Sequence, residues 1–213
     1  MDFLDSKLNL YTETHTSSEN DVLESLNRET NAKILMPRML SGHLQGRILS
    51  MLSHMIRPKQ ILEIGTYTGY SALCLAEGLQ DDGCLHTIDI NDELKSMVRT
   101  YIRKASMQEK IKTYYGNALD IIPGLDIKFD LVFIDADKIN YSKYYDLVID
   151  KIPSGAFILA DNVLWSGKIL DDELKMDSDT KSIHAFNQKI QQDTRIENVL
   201  LPVRDGIMLI RKK

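Results

Sequence analysis

The sequence is poor in several features that would place it in familiar classes. Only two of its 213 residues are cysteine, Cys74 and Cys84. That is too few for a disulfide framework, so both are expected as buried thiols in a reducing cytoplasm. No run approaches the roughly eighteen uninterrupted apolar residues that a bilayer span requires, so no membrane partner is expected. The opening Met1-Asp2-Phe3-Leu4-Asp5 lacks the basic start and apolar middle of a secretory signal. A basic stripe is also missing: the formal net charge is −5, and the one basic cluster, Arg211-Lys212-Lys213, reads as a solvated end. No nucleic-acid partner is expected. His15, His43, His54, His86 and His184 show no metal-ligand spacing and HExxH is absent, which argues against a zinc site.

What is present is ordinary globular composition, with 43% hydrophobic and 27% charged residues. The length suits one domain with a single large core, without repeats or an interdomain linker. Residues 1–57 read as a helical cap. Val22, Leu23 and Leu26 recur at helical spacing, as do Leu44, Ile48, Leu52 and Met55. Residues 58–213 read as an α/β core. Short runs rich in β-branched residues occur at 60–64, 85–90, 111–115, 130–134 and 156–160, with amphipathic stretches between most of them, as at 92–106 and 141–151. This alternation predicts a parallel sheet covered on both faces. Two further runs, 198–203 and 206–211, are separated by Arg204 and Asp205 and must form a hairpin or near-hairpin, so the sheet should finish antiparallel. The expectation is a doubly wound, Rossmann-like fold with seven strands, the last antiparallel. Residues 167–179 read as a surface loop before a helix near 183–190.

In such a sheet, ligands sit beyond the carboxyl ends of the strands, and the unusual residues fall there. The first strand runs into Glu63-Ile64-Gly65-Thr66-Tyr67-Thr68-Gly69-Tyr70-Ser71. Two glycines four apart permit a sharp turn and a close ligand approach, and the next helix offers free N–H groups near Ser71. The loop is not GxGxxG, and its bulk suits a nucleoside carrying an amino acid better than a pyrophosphate. The alternative is a purely structural turn. Twenty residues after Gly69, the second strand ends at Asp89, placed for two ribose hydroxyls. Its alternative role is a helix N-cap, which Asn91 could fill instead. Gly116-Asn117-Ala118 offers a tight turn for an adenine edge.

The fourth strand runs into Asp135-Ala136-Asp137-Lys138 and the fifth into Asp161-Asn162. Asp135, Asp161 and Asn162 would gather oxygen donors at two strand ends. Burying such carboxylates without counter-charge is costly, so a hard cation is the natural partner: Mg²⁺ first, with Mn²⁺ or Ca²⁺ as alternatives. Simple capping of helices is the competing reading. A divalent cation nearby would favour a neutral amine on Lys138, three residues past Asp135, making it a candidate general base; a salt bridge to Asp135 or Asp137 is its alternative.

These residues carry a family likeness. The runs 63–71, 133–145 and 160–167, above all Phe-Ile-Asp-Ala-Asp-Lys followed by Tyr141 and then Ala-Asp-Asn-Val-Leu-Trp, resemble the class I cation-dependent O-methyltransferases. That group contains catechol O-methyltransferase and the caffeoyl-CoA O-methyltransferases; the chain is most similar to small bacterial members, from about Met36 onward. The resemblance implies an enzyme that moves the methyl group of S-adenosylmethionine to one hydroxyl of a catechol-like phenol, as a homodimer. It implies that Asp135, Asp161 and Asn162 hold the metal and that Lys138 is the base. It further implies that Asp89 binds the ribose, that Ala118 lies by the adenine, and that Met39, Ser41, Glu63, Gly65, Tyr67 and Ser71 line the methionine portion. Asp135 and Asp137 would touch the cofactor or the metal edge, and Lys138 and Trp165 the acceptor. Apolar Phe3, Leu4, Leu8 and Leu10 in the cap fit a dimer. His184 departs from the arginine frequent in relatives, and the loops at 1–20 and 166–179 give no acceptor. The readings weighed against this one are an NAD-dependent oxidoreductase and a non-catalytic S-adenosylmethionine-binding protein. The first leaves the acidic cluster unexplained; the second leaves a full catalytic set unused.

Overall fold

Capping side chains set where the first helices begin. The computed structural model describes residues 5–213; Phe3 and Leu4 lie outside the described residues. Helix α1 (Ser6–Thr14) starts at Asp5, whose carboxylate accepts the Lys7 N–H. Helix α2 (Asp21–Lys33) starts at Asn20, which accepts the Leu23 N–H at 2.9 Å. Asp21 and Glu24 lie at its positive end and Lys33 at its negative end. It buries Leu23, Leu26 and Thr30, one helical face. Helix α3 (Gly42–Ile56) stops where Arg57 turns left-handed at φ 51°.

Strands and helices then alternate: β1 (Gln60–Ile64), α4 (Tyr70–Ala76), β2 (Cys84–Asp89), α5 (Lys95–Lys104), β3 (Ile111–Tyr115), α6 (Ala118–Gly124), β4 (Leu131–Ile134), α7 (Tyr141–Ile149) and β5 (Phe157–Asp161). Helix α8 (Ser178–Gln192), capped by Asp177, leads into β6 (Ile196–Leu201) and β7 (Ile207–Lys212). Among the described residues, seven strands form one sheet in the order β3-β2-β1-β4-β5-β7-β6. All pairs from β3 to β5 are parallel, and β7 runs antiparallel to both its neighbours.

Because the sheet is covered on both faces, its central strands are apolar on both sides. Leu62, Ile64, Val132, Ile134 and Ile158 pack with Tyr141, Tyr145 and Phe186 on one face. Ile61, Leu131, Phe133 and Leu159 pack with Leu23, Leu49, Tyr70 and Tyr101 on the other. The order reverses between β1 and β4, which makes a switch-point crevice at their carboxyl ends. The strand ends are level there, with Ile64 beside both Ile88 and Ile134, and Ile134 beside Ala160.

Three local expectations shift. The buried face of α3 is Gln45, Gly46, Leu49, Ser50 and Ser53, while Met55 is 75% exposed. A Cβ on Gly46 would strike Tyr70 and Cys74, so α4 packs too closely for large residues on that face. Residues 165–170 form a kinked 3₁₀ segment with positive φ at Trp165, Ser166 and Gly167, rather than plain loop from 167. Cys74 is buried, whereas Cys84 is only half-buried at the start of β2. Among the described residues no helix is long and apolar enough to cross a membrane.

Candidate active site

The crevice is built first by the loop after β1. Gly65 has φ 104°, and a Cβ there would be driven onto the Asp135 carbonyl oxygen. Glycine therefore lets this loop cross the end of β4 at backbone contact. Tyr67, itself at φ 49°, donates its N–H to Asp89 Oδ2 at 2.6 Å, and Asp89 Oδ1 accepts the Asn91 N–H at 2.8 Å. Asp89 thus pins the glycine loop to the end of β2. The Tyr67 hydroxyl donates to the Met36 carbonyl at 2.8 Å, tying the cap to the same loop. On that segment Met39 is 58% exposed and Ser41 is buried.

Beneath the loop, Glu63 has no solvent exposure. Its Oε2 accepts from Thr87 Oγ1 at 2.5 Å, and Thr87 also bonds Thr66. Its Oε1 has no partner among the described residues. Burial pushes this carboxyl up to about 8; the nearby Ser71 and Thr87 hydroxyls oppose the rise, and Asp135 and Asp89 add to it. A buried acid with one vacant oxygen is arranged to receive a cationic or donor group. Ala118 is buried at the start of α6, behind its Asn117 cap.

The second half of the crevice comes from β4 and β5. The pairing of Ile134 with Ala160 makes Asp135 and Asp161 next neighbours on adjacent strands, which are spaced about 4.8 Å apart. Asp161 is 3% exposed. Burial pushes the Asp135 carboxyl up to about 7; Lys138 opposes the rise and Asp161 adds to it. Lys138 Nζ donates to Asp135 Oδ1 at 3.2 Å and to the Tyr141 hydroxyl at 2.6 Å. That hydroxyl donates in turn to the Asp161 carbonyl at 3.0 Å, and burial keeps it protonated far above the ordinary tyrosine range. Nζ lies 5.8 Å from the Trp165 ring, whose indole N–H is buried without a partner among the described residues. Asn162 follows in a left-handed conformation, φ 58°.

Asp135, Lys138, Asp161, Asn162 and Trp165 therefore cluster on one side of the crevice. Glu63, Gly65, Tyr67, Ser71 and Asp89 cluster on the other, and the Gly65–Asp135 contact joins the two halves. Asp137 does not join them: it is exposed, and its carboxylate accepts from Tyr144 and Asn140 at 2.5 Å each. Among the described residues no three of His, Cys, Asp and Glu gather as a metal set. The donors at this point are two carboxylates and one amide, an all-oxygen set of the kind that suits a hard cation.

Two participants escaped sequence reasoning. Gln45 on α3 donates to Asp161 Oδ2 at 2.6 Å, and Arg204, in the turn before β7, donates to Gln45 Oε1 at 3.0 Å. The one available signal was a glutamine beside a glycine on a helix read for its apolar stripe.

The sequence model of the O-methyltransferase family matches residues 13–213. Caffeoyl-CoA O-methyltransferase 5 of Nicotiana tabacum is 37% identical over 196 residues, 87% of this chain and 82% of the relative. Tricin synthase 2 of Oryza sativa subsp. japonica is 37% identical over 185 residues, 82% of this chain and 63% of that longer protein. Among solved structures, the O-methyltransferase from Bacillus cereus in complex with SAH superposes with a TM-score of 0.89 at 27% identity, covering 97% of both chains. The O-methyltransferase from Streptomyces achromogenes involved in tomaymycin synthesis, in complex with SAM, gives 0.88 at 25% identity, covering 97% of this chain and 96% of that one. The chain belongs to the O-methyltransferase family and is an S-adenosylmethionine-dependent O-methyltransferase.

Proposed function

We propose that the chain transfers the methyl group of S-adenosylmethionine to one hydroxyl of a catechol-like small molecule, with a divalent cation held by Asp135, Asp161 and Asn162. The observation that carries this reading is the pairing of Asp135 with Asp161. Two largely buried acids stand at adjacent strand ends, and one ammonium, Lys138, faces them by a single 3.2 Å bond. Burying such a pair is costly without further positive charge. The residues therefore fit a cation.

Glu63, with its free oxygen, and Ser71 suit the methionine portion of the donor, lined also by Gly65, Tyr67, Met39 and Ser41. Asp89 suits the ribose and Ala118 the adenine. Bound beside Asp135 and Asp161, a divalent cation would supply Lewis acidity that lowers the pKa of a chelated hydroxyl. With the cation supplying the positive charge that the two acids demand, Lys138 would enter the reaction as a neutral amine and take the hydroxyl proton at Nζ. Asp135 and Tyr141 take two of the hydrogen-bonding directions around that nitrogen, and the Trp165 ring, 5.8 Å away, would wall the acceptor beside it. The deprotonated oxygen would form its new bond to the methyl carbon as the sulfonium C–S bond breaks, with S-adenosylhomocysteine as the leaving group. Holding two reactants in line is worth about 7–11 kcal/mol in well-oriented pairs, so positioning carries a large share of the acceleration.

Chelation tests the reading. Excess EDTA should abolish methylation of a catechol acceptor and Mg²⁺ should restore it, while Asp161→Ala should lose the metal-dependent rate and keep its affinity for S-adenosylhomocysteine. Full turnover in EDTA, or unchanged kinetics in Asp161→Ala, would remove the cation from the reaction.

A further inference from the structure

Asp161 is held by more than its own strand. Its Oδ1 accepts the Asn162 N–H at 2.8 Å and its Oδ2 accepts Gln45 Nε2 at 2.6 Å. Gln45 is 2% exposed and comes from α3, 116 residues earlier in the chain. Its other end is fixed as well. Arg204 Nη1 lies 3.0 Å from Gln45 Oε1, and a guanidinium can only donate. The oxygen of the amide must therefore face Arg204, and its NH₂ must face Asp161. Chemistry sets the orientation of this amide, which an isolated glutamine would leave open.

The relay has two consequences. Each carboxylate oxygen carries two lone pairs. One bond to Oδ1 and one to Oδ2 fix the plane of the carboxylate and leave a lone pair on each oxygen for another partner. Gln45 is also neutral, so it orients Asp161 without cancelling its charge. A lysine or arginine in its place would fill the same space with the positive charge that the acidic pair otherwise demands. Arg204 carries that charge one residue further out, on an exposed side chain.

We infer that Gln45, locked by Arg204, is a positioning residue that presents the Asp161 carboxylate to the divalent cation and couples the N-terminal cap to the cation site. The inference rests on the cation reading above. It gives the helical cap a hold on the cation site in addition to the bond that ties it to the glycine loop at Tyr67.

The test measures Mn²⁺ binding directly, by the electron paramagnetic resonance of free Mn²⁺, on the full chain without donor or acceptor. Affinity for S-adenosylhomocysteine is followed in parallel by calorimetry. Gln45→Leu should weaken Mn²⁺ binding about 10–100-fold, the usual effect of losing an outer-shell partner, with S-adenosylhomocysteine affinity within about twofold of the parent. Arg204→Leu should weaken Mn²⁺ in the same direction by at least about threefold, and the double variant should be no worse than Gln45→Leu alone, since the two act in series. Wild-type protein that takes no Mn²⁺ would overturn the cation reading and this inference with it. Mn²⁺ binding that is lost in Asp161→Ala but unchanged in Gln45→Leu would overturn only the inference. Should Gln45→Leu not fold, Arg204→Leu decides, and an unchanged Mn²⁺ affinity there overturns it.

Discussion

Glu63 makes donor binding depend on pH in a way that can be worked from its surroundings. The side chain has no exposure, one oxygen receives Thr87, and the other has no partner among the described residues. Burial pushes the carboxyl up to about 8, so in the free enzyme it is mostly protonated at neutrality. In the proposed reading the ammonium on the methionine portion of the donor pairs with the ionised acid. Apparent affinity then scales with the ionised fraction, about one-hundredth at pH 6, one-tenth at pH 7 and one-half at pH 8. The dissociation constant for S-adenosylhomocysteine should therefore fall about tenfold from pH 6 to pH 7 and about fivefold more by pH 8, the first step being worth about 1.4 kcal/mol. Calorimetry at the three pH values, in buffers of different ionisation heat, should count about one proton released per ligand bound at pH 6–7. Glu63→Gln should bind more weakly at pH 8 and lose the acid-side slope. The folded pKa lies above the unfolded one, so the contribution of Glu63 is fully present below the ordinary carboxyl range and is lost as pH rises towards 8. Saturating ligand should blunt that loss. A dissociation constant that is flat between pH 6 and 8, with no proton released, would refute the pairing.

Gly65→Ala should lose more than about 2 kcal/mol of stability, because it combines a φ of 104° with a collision on the Asp135 carbonyl. Urea denaturation checks this, and a wild-type midpoint would count against the crossing of the loop over β4. The chain is expected to form a homodimer through the cap, where Leu8, Leu10 and Tyr11 on α1 are all more than half exposed. Light scattering that returns a monomer at micromolar concentration would overturn that expectation.

The residues at strand ends were legible because the strands were. Gln60–Ile64 and Ile111–Tyr115 are bounded as their apolar, β-branched runs indicate, and the other strands shift by one or two residues. Once a strand is placed, the polar residue at or just beyond its carboxyl end is placed too, and Asp89, Asp135 and Asp161 follow from that rule, with Glu63 one residue inside the end of β1. The face of α3 was not legible. The spacing of Leu44, Ile48, Leu52 and Met55 turns the helix towards its apolar stripe. The observed inward face sets small and polar residues around Leu49, because Gly46 admits Tyr70 and Ser53 donates to the Leu75 carbonyl at 2.6 Å, and it leaves Ile48 and Leu52 half-buried at its edge. Periodicity weighs hydrophobicity alone, whereas close backbone packing selects for size, and here size prevails.

The same asymmetry explains why Gln45 and Arg204 went unread while Asp161 did not. A side chain that meets a ligand beyond a parallel sheet must stand at a strand end, so topology restricts it to a handful of positions. A side chain that orients the first needs only to reach it, and it can come from any element the fold brings near. Gln45 is 116 residues from Asp161, and Arg204 is 159 residues from Gln45. No local pattern links them, and each has an unremarkable local reading, one as a helical polar residue and the other as a turn. What ties them together is satisfaction of buried polar groups: an Asp161 oxygen inside the protein requires a donor, and the amide that supplies it requires an acceptor's partner of its own. That demand becomes visible only when the three segments are packed, so residues that position a catalytic group are the part of a site that sequence leaves hidden.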